Sequence, residues 1–175
     1  EERGDNNQLF ALKYHNTAFF LLDSDREIFF LFAQAAWLKT QMEKIKADHR
    51  IVMLHHPLYS VRRENNNLIQ RWMFNDIICD AKADLVLQGH EHGYAHCTAE
   101  EEPLKGHDCT NPPLYVISHC SPKEYHLHPT KRFYPVIQGS RYYQIIDVDA
   151  KAVTYKAYDV ANDALIDTVR ITKSK

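Results

Sequence analysis

Two short apolar runs, each followed by a pair of histidines, constrain this sequence more than any other feature. The first run spans residues 51–54 and precedes His55 and His56, and the second spans residues 84–88 and precedes His90 and His92. Short aliphatic runs closed by Pro or Gly are typical of strands buried on both faces. Both histidine pairs are therefore predicted to stand at the carboxyl ends of strands.

The segment between the two runs predicts their relative direction. From residue 67 to residue 82, apolar residues recur at steps of three and four, which predicts an amphipathic helix. A strand, a helix and a strand in succession form a crossover that leaves the two strands parallel, and neighbouring strands lie ~4.8 Å apart. His55 and His90 would then leave the same edge of the sheet, where open α/β sheets bind their ligands.

Histidines placed in this way predict a metal site. Neutral imidazole is the commonest metal ligand, and His90 and His92, two residues apart between Gly89 and Gly93, can bind one ion together or one ion each. A single histidine is more often a packed core residue or a surface residue, and that alternative stays open for each of them. Four histidines at two matched strand ends favour the metal site.

The residues around these histidines resemble a known family. The motif Leu54-His55-His56-Pro57, followed by the motif Gly89-His90-Glu91-His92-Gly93-Tyr94, is similar to the last two metal motifs of the calcineurin-like metallophosphoesterases, which include the purple acid phosphatases. The motif Gln34-x-x-Trp37-Leu38 is similar to a helix before the first motif, and the spacing of its apolar residues predicts a helix from Gln34 to about Lys46. Residues 115–118 resemble a later strand. The resemblance extends from about residue 9 to residue 171.

The resemblance implies an α/β fold. Residues 1–175 would be a single domain, the carboxyl-terminal half of a metallophosphoesterase catalytic domain, which is an α/β/β/α sandwich. This half would supply about one mixed sheet with its helices. Independently of the resemblance, residues 142–148, 152–158 and 165–171 alternate with period two, which predicts a carboxyl-terminal antiparallel meander.

The resemblance also implies an activity, hydrolysis of a phosphoester by a metal-bound hydroxide at a dinuclear centre. The cofactors would be two divalent or trivalent transition-metal ions, Mn, Fe or Zn. Matched position by position, His55 and His90 would bind one ion and His92 the other. His56 would contact the substrate or simply pack the loop, and its catalytic role stays open. The other candidate substrate contacts are Tyr94 and three residues of the polar loop after Pro57, namely Tyr59, Arg62 and Arg63. A solvated charged loop is the more common meaning of such residues, and that alternative stays open.

Three motifs of the family do not occur in this sequence. They are D-x-H, G-D-x-x-D and G-N-H-[DE], which carry the carboxylate ligands in the amino-terminal half of the family's domain. We therefore expect an amino-terminal half of the same protein to complete the ligand set, and this chain alone to be inactive. The alternative is a non-catalytic metal- or partner-binding module derived from the same fold, in which the histidines are relics.

Composition narrows the function classes. The chain has 175 residues, of which 45% are hydrophobic and 25% charged, as in globular proteins of one-domain size. A net charge of -2, without a Lys/Arg-rich block interleaved with aromatic residues, argues against nucleic acid as a partner. No apolar run is long enough to predict a membrane-spanning helix.

Four cysteines allow several arrangements. Cys97 and Cys109 bracket one loop and are the predicted disulfide, whereas Cys79 is predicted to be buried and inert. A small zinc knuckle of His96, Cys97, His107 and Cys109 is a rival, although its spacing fits no established pattern, and four free thiols are a further alternative. The predicted disulfide and the resemblance to secreted bacterial members favour a periplasmic or secreted location.

Overall fold

Two sheets and two helices make up the part of the chain that the computed structural model describes, residues 2–3, 8–62, 67–98, 109–128 and 131–172. The elements in chain order are β1 (Glu2–Arg3), β2 (Phe10–Tyr14), β3 (Thr17–Leu21), α1 (Ile28–Lys44), β4 (His49–Met53), α2 (Leu68–Asp80), β5 (Leu85–Gln88), β6 (Tyr94–Thr98), β7 (Leu114–Ile117), β8 (Val136–Ile137), β9 (Tyr142–Val148), β10 (Ala152–Asp159) and β11 (Leu165–Thr172).

The larger sheet is mixed and the smaller one is antiparallel. The strand order of the larger sheet is β1-β2-β3-β4-β5-β7-β6-β8, in which β3, β4, β5 and β7 run parallel to their neighbours in that group. The smaller sheet has the order β11-β10-β9. The predicted α/β fold, with a mixed sheet and a carboxyl-terminal meander, is confirmed.

The crossover around α2 has the predicted geometry. β4 and β5 are parallel neighbours, with Ile51 opposite Leu85 and Met53 opposite Leu87. The carboxyl ends of β3, β4, β5 and β7 therefore lie along one side of the sheet, which we call the C-terminal edge. The loops that follow β4 and β5 must meet there, because adjacent strands are only ~4.8 Å apart.

The two helices pack on one face of the larger sheet. Leu38 of α1 and Phe74 of α2 lie in one core cluster with Phe20, Val52 and Val86 of the central strands, and all five are completely buried. Complete burial of each such side chain contributes about 1.5–3 kcal/mol to stability. These contacts hold the three parallel strands in register beneath the helices.

The smaller sheet packs on the opposite face. Val153 and Tyr155 of β10 share a second core cluster with Ile51, Leu85 and Tyr94 of the larger sheet. The chain therefore supplies two packed sheets, whereas the sequence predicted about one. At this cluster the larger sheet is covered by the chain's own meander.

Helix α1 begins six residues before the predicted start at Gln34. Residues 28–32 are all apolar, so their sequence shows no helical stripe. In the structure Leu31 is buried, whereas Phe29 is 79% exposed and Phe32 is 46% exposed. Tertiary packing of one residue per turn is enough to continue the helix there. Neither helix in the described part of the chain is long and apolar enough to cross a membrane.

The disulfide joins Cys79 to Cys109, so the predicted pairing of Cys97 with Cys109 is wrong. Cys97 lies in β6 and is a buried thiol in the core beneath the helices. Cys79, near the end of α2, instead meets the segment that leads into β7. The rival arrangement, a zinc knuckle, does not form either, since Cys109 is in the disulfide and His96 pairs with Asp167 at 3.0 Å. His107 lies outside the described residues.

One buried amide links three parts of the core. The hydroxyls of Tyr59 and Tyr115 both donate to Oδ1 of Asn75 on α2, at 3.0 and 2.8 Å. All three side chains are buried, so the two hydroxyls cannot turn to water instead. Asn75 therefore joins α2 to β7 and to the loop after β4.

Replacing Asn75 with Ala should lower the free energy of unfolding by about 2–4 kcal/mol, because each buried hydroxyl left without its acceptor costs about 1–3 kcal/mol. Urea denaturation measures the change. The control is Asn111→Ala at an exposed position, which should change stability by less than about 0.5 kcal/mol. A loss below about 1 kcal/mol for Asn75→Ala would show that the hydroxyls find other partners.

Candidate metal centre

Two loops meet at the C-terminal edge and bring histidines together. His55 and His56 follow β4, and His90 follows β5. Gly89 donates its N–H to the carbonyl of His55 at 2.9 Å, and Leu54 donates to the carbonyl of Leu87 at 3.1 Å. These bonds continue the parallel pairing beyond the last residues of the two strands. The imidazoles of the two loops consequently face each other.

Three of these histidines form a cluster. Nδ1 of His90 lies 3.4 Å from Nε2 of His55, and His55, His56 and His90 each offer one ring nitrogen within 4.8 Å of the others. The rings of His56 and His90 are also close, with centroids 4.5 Å apart. Within the described part of the chain, this cluster consists of imidazoles and contains no carboxylate.

The backbone around His90 is shaped for this contact. A Cβ atom at position 89 would lie 3.3 Å from Nδ1 of His55, so any other residue there would crowd this ring. His90 itself has φ +65°, in the left-handed region that costs a non-glycine residue about 1–2 kcal/mol. Strained backbone of this kind tends to occur where function needs it.

His56 is fixed from outside the two loops. Its N–H donates to Oγ of Ser24 at 2.8 Å, and its Nδ1 lies 3.2 Å from the same oxygen. Gln70 of α2 donates its side-chain amide to the carbonyl of Ser24 at 3.0 Å. The segment after β3 thus orients the ring of His56 and leaves its Nε2 for the cluster.

The cluster favours neutral imidazoles. Partial burial lowers the pKa of His55, and repulsion from His56 lowers it further, against an opposing effect of Asp25. Burial also lowers the pKa of His90, followed by repulsion from His56 and His55. A neutral imidazole is the form that binds a metal ion. The environment therefore prepares both rings as ligands.

His92 does not belong to this cluster. Its Nδ1–H donates to the carbonyl of Lys123 at 2.7 Å, which leaves Nε2 with a lone pair. Its ring stacks on Tyr125 with centroids 4.4 Å apart and on His119 with centroids 5.2 Å apart. Of the three histidines predicted as metal ligands, the structure brings His55 and His90 together and places His92 beside them in different surroundings.

His119 is a histidine of this edge that the sequence analysis did not select. It comes shortly after β7, and its ring is nearly parallel to that of His92. Burial lowers its pKa, and the neighbouring His92 lowers it further. Its two ring nitrogens are buried, and backbone contacts with Ser140 and Ser121 partly oppose the lowering of its pKa. The sequence feature that could have identified His119 as a site residue is its position just past a predicted strand.

The two tyrosines predicted to contact the substrate both lie inside the protein. Tyr59 is completely buried and donates to Asn75. Tyr94 is also completely buried, and its hydroxyl donates to Asp167 at 2.6 Å, between the two sheets. Arg62 does lie near this edge, with its guanidinium 4.2 Å from the ring centroid of Tyr125. Arg63 lies outside the described residues.

Comparison with known proteins identifies the fold. Neither a scan against protein-family models nor a search of curated proteins gives a match. Among solved structures, the chain is similar to the purple acid phosphatase PPD1 from yellow lupin (Lupinus luteus) seeds, with a TM-score of 0.71 and 14% identity over 94% of this chain and 32% of that chain. It is also similar to GAP50, the anchor in the inner membrane complex of Plasmodium, with a TM-score of 0.70 and 15% identity over 95% of this chain and 54% of that chain.

These likenesses show that the chain has a purple acid phosphatase-like fold. The chain spans about a third of the length of PPD1 and about half that of GAP50. Its histidine cluster lies at the edge of the sheet where open α/β folds bind ligands. The fold and the cluster together suggest metal ions as cofactors.

Protonation should destabilise the metal-free chain near pH 6.5. Because the pKa values of folded His55 and His90 lie below the ordinary value of 6.5, the unfolded chain takes up protons first as the pH falls. We expect the free energy of unfolding, measured in urea with a chelator present, to fall as the pH drops from about 7.5 through 6.5. His90→Asn, which tolerates a positive φ, should flatten this decline. An unchanged slope in that variant would contradict the expectation.

Proposed function

We propose that this chain is the histidine-bearing, carboxyl-terminal half of a metallophosphoesterase catalytic domain, and that its cluster binds one transition-metal ion. The observation that carries the proposal is the 3.4 Å separation of the facing nitrogens of His55 and His90 at the C-terminal edge. Two ligands of a tetrahedral Zn ion with bonds of ~2.0–2.1 Å stand roughly 3.3–3.4 Å apart. The donor spacing therefore fits an ion of this kind.

The surroundings of the histidines support the same proposal. Metal-binding histidines usually have an oxygen partner at the second ring nitrogen, which orients the ring. His56 has Oγ of Ser24 at its Nδ1, and His92 has the carbonyl of Lys123. The first arrangement prepares His56 as the third ligand beside His55 and His90. The second leaves Nε2 of His92 to serve the other ion of a dinuclear centre.

Charge sets the limit on what the chain does alone. Neutral imidazoles bring no negative charge to offset divalent or trivalent cations, and the described cluster contains no carboxylate. We propose that an amino-terminal half of the same protein supplies the carboxylates and so holds the second ion. When bound, such ions act as Lewis acids toward a phosphoryl oxygen and lower the pKa of water. The histidines of this chain position them, and a phosphoester is the proposed substrate.

A non-catalytic module of the same fold is the second candidate. It is favoured by the similarity to GAP50, which is described as an anchor, and by an all-histidine cluster. Such a module would use the fold to bind a metal ion or a partner without turnover. The two candidates differ in whether activity appears once carboxylate ligands are supplied.

The isolated chain should bind Zn²⁺ weakly and with a stoichiometry of one. Calorimetric titration should show that His55→Ala and His90→Ala each weaken binding by at least about 100-fold, more than loss of an outer-shell partner would cause. His92→Ala should leave this binding nearly unchanged, because its ring is not in the cluster. His126→Ala, at an exposed position, is the matched control. Equal losses for His92→Ala and His90→Ala would instead mean that His92 swings onto the same ion.

Activity separates the enzyme from the module. With Mn²⁺, Zn²⁺ or Fe³⁺, the chain alone should not hydrolyse an aryl phosphate, whereas the protein containing both halves should, and His90→Ala in that protein should reduce turnover by at least about 100-fold. Metal-dependent turnover by the chain alone would show that carboxylates are dispensable. No turnover by the complete protein, together with intact Zn²⁺ binding, would favour the non-catalytic module.

A further inference from the structure

Glu91 stands between His90 and His92 and is completely buried, with 0% exposure. A carboxylate is among the side chains least often found fully buried, because loss of water is costly unless hydrogen bonds replace it. Glu91 therefore needs a structural or functional reason to be inside. Nothing in the proposed metal chemistry uses it, since it is not a member of the histidine cluster.

Within the described part of the chain, the Glu91 side chain forms its hydrogen bonds with the loop after β4. Its Oε2 accepts the N–H of Val61 at 2.8 Å, and its Oε1 accepts the hydroxyl of Ser60. The same hydroxyl oxygen accepts the N–H of Arg62 at 3.0 Å. One side chain of the second histidine loop thus binds three consecutive residues of the first loop, directly or through Ser60.

The backbone of the second loop turns tightly on both sides of Glu91. Glu91 donates its N–H to the carbonyl of Gly89 at 2.7 Å, and Gly93 donates to the carbonyl of Glu91 at 3.0 Å. The first of these tight turns encloses His90, which is held at φ +65°, and the second encloses His92. A strained conformation persists only when the surrounding structure over-determines it. The buried bonds of Glu91 lie immediately after the strained residue.

A second buried side chain extends the same connection. Gln88, just before the loop, accepts the N–H of Leu58 at 2.7 Å through its Oε1. Gln88 and Glu91 therefore form hydrogen bonds with the first loop at two points, Leu58 and the Ser60-Val61 pair. Only Gly89 and His90 lie between Gln88 and Glu91 in the sequence. The position of His90 relative to His55 is set by these bonds and by the bond from Gly89 to His55.

We propose that Glu91 is a positioning residue, which fastens the two histidine loops together and so holds His90 against His55 in the arrangement that binds a metal ion. The part of this inference that concerns metal affinity rests on the proposed function. The part that concerns the placement of His90 stands on the hydrogen bonds alone. Glu91 acts through the loops and does not touch the ion.

Two substitutions distinguish the hydrogen bonds from the charge. In Glu91→Gln, the amide carbonyl can still accept from Val61 while its NH₂ donates to Ser60, whose hydroxyl can turn to the carbonyl of Arg62 at 2.8 Å. In Glu91→Ala, the Val61 N–H loses its acceptor inside the protein, and the Ser60 hydroxyl loses its bond to the second loop. The conservative variant should therefore retain the loop geometry that the truncation loses.

The first measurement is Zn²⁺ affinity by calorimetry. Glu91→Ala should weaken binding roughly 10- to 100-fold, as loss of outer-shell partners commonly does, and Glu91→Gln should stay within about threefold of the wild type. The matched control is Asp84→Ala. Asp84 is also a buried acid that accepts a backbone N–H, from Arg50 at 2.8 Å, but it lies at the start of β5, at the opposite end of the strand. That variant should lose stability and keep its Zn²⁺ affinity.

The second measurement needs no metal. The rings of His55 and His90 have centroids 5.3 Å apart, close enough for nuclear Overhauser contacts between their ring protons. These contacts should persist in the wild type, Glu91→Gln and Asp84→Ala, and disappear in Glu91→Ala. If Glu91→Ala does not fold, Ser60→Ala removes one of the two bonds and should weaken both readouts partially, with about a threefold loss of affinity.

The outcomes are separable. If the wild type binds no Zn²⁺ but the ring contacts vanish in Glu91→Ala, the proposed metal function fails and the positioning role stands. If Glu91→Ala, or Ser60→Ala in its place, keeps both the ring contacts and the wild-type affinity, the positioning role is overturned. Equal loss of affinity in Glu91→Ala and Asp84→Ala would also overturn it, since the effect would then follow stability rather than the loop.

Discussion

The parallel pairing of β4 with β5 is the constraint on which the rest of the site depends. It places the ends of the two strands side by side, and the bond from Gly89 to the carbonyl of His55 carries the pairing into the loops. His55 and His90 are separated by 35 positions in sequence, yet a ring nitrogen of one then lies 3.4 Å from a ring nitrogen of the other. Two helices packed on one face and a small sheet on the other hold the strands in this register.

The site is supported by buried polar contacts rather than by apolar packing alone. Ser24 orients His56, the carbonyl of Lys123 orients His92, and Glu91 joins the loops that carry His55 and His90. Such outer contacts fix ring direction and leave one nitrogen of each ring for a ligand. The arrangement is consistent with a purple acid phosphatase-like fold and with the proposed division of ligands between two halves of a protein.

Much of the fold could be predicted from local pattern. The aliphatic runs before His55 and His90, the helix between them and the alternating segments of the meander all appear at the expected places. These patterns are readable because helices and strands repeat within a few residues. The start of α1 was missed because residues 28–32 are all apolar. Periodicity therefore does not distinguish the buried Leu31 from the exposed Phe29 and Phe32. A helix held by few buried residues carries little local signal.

The sequence by itself determined that histidines stand at the carboxyl ends of two parallel strands, because strand, helix and strand in succession allow one relative direction. Only the tertiary structure decided which rings meet. The turn of His92 toward Lys123, the burial of Tyr59 and Tyr94, the stacking of His119 and the pairing of Cys79 with Cys109 depend on contacts between segments far apart in the chain. Local periodicity does not encode such contacts, since they follow from how loops of particular lengths close over a packed sheet.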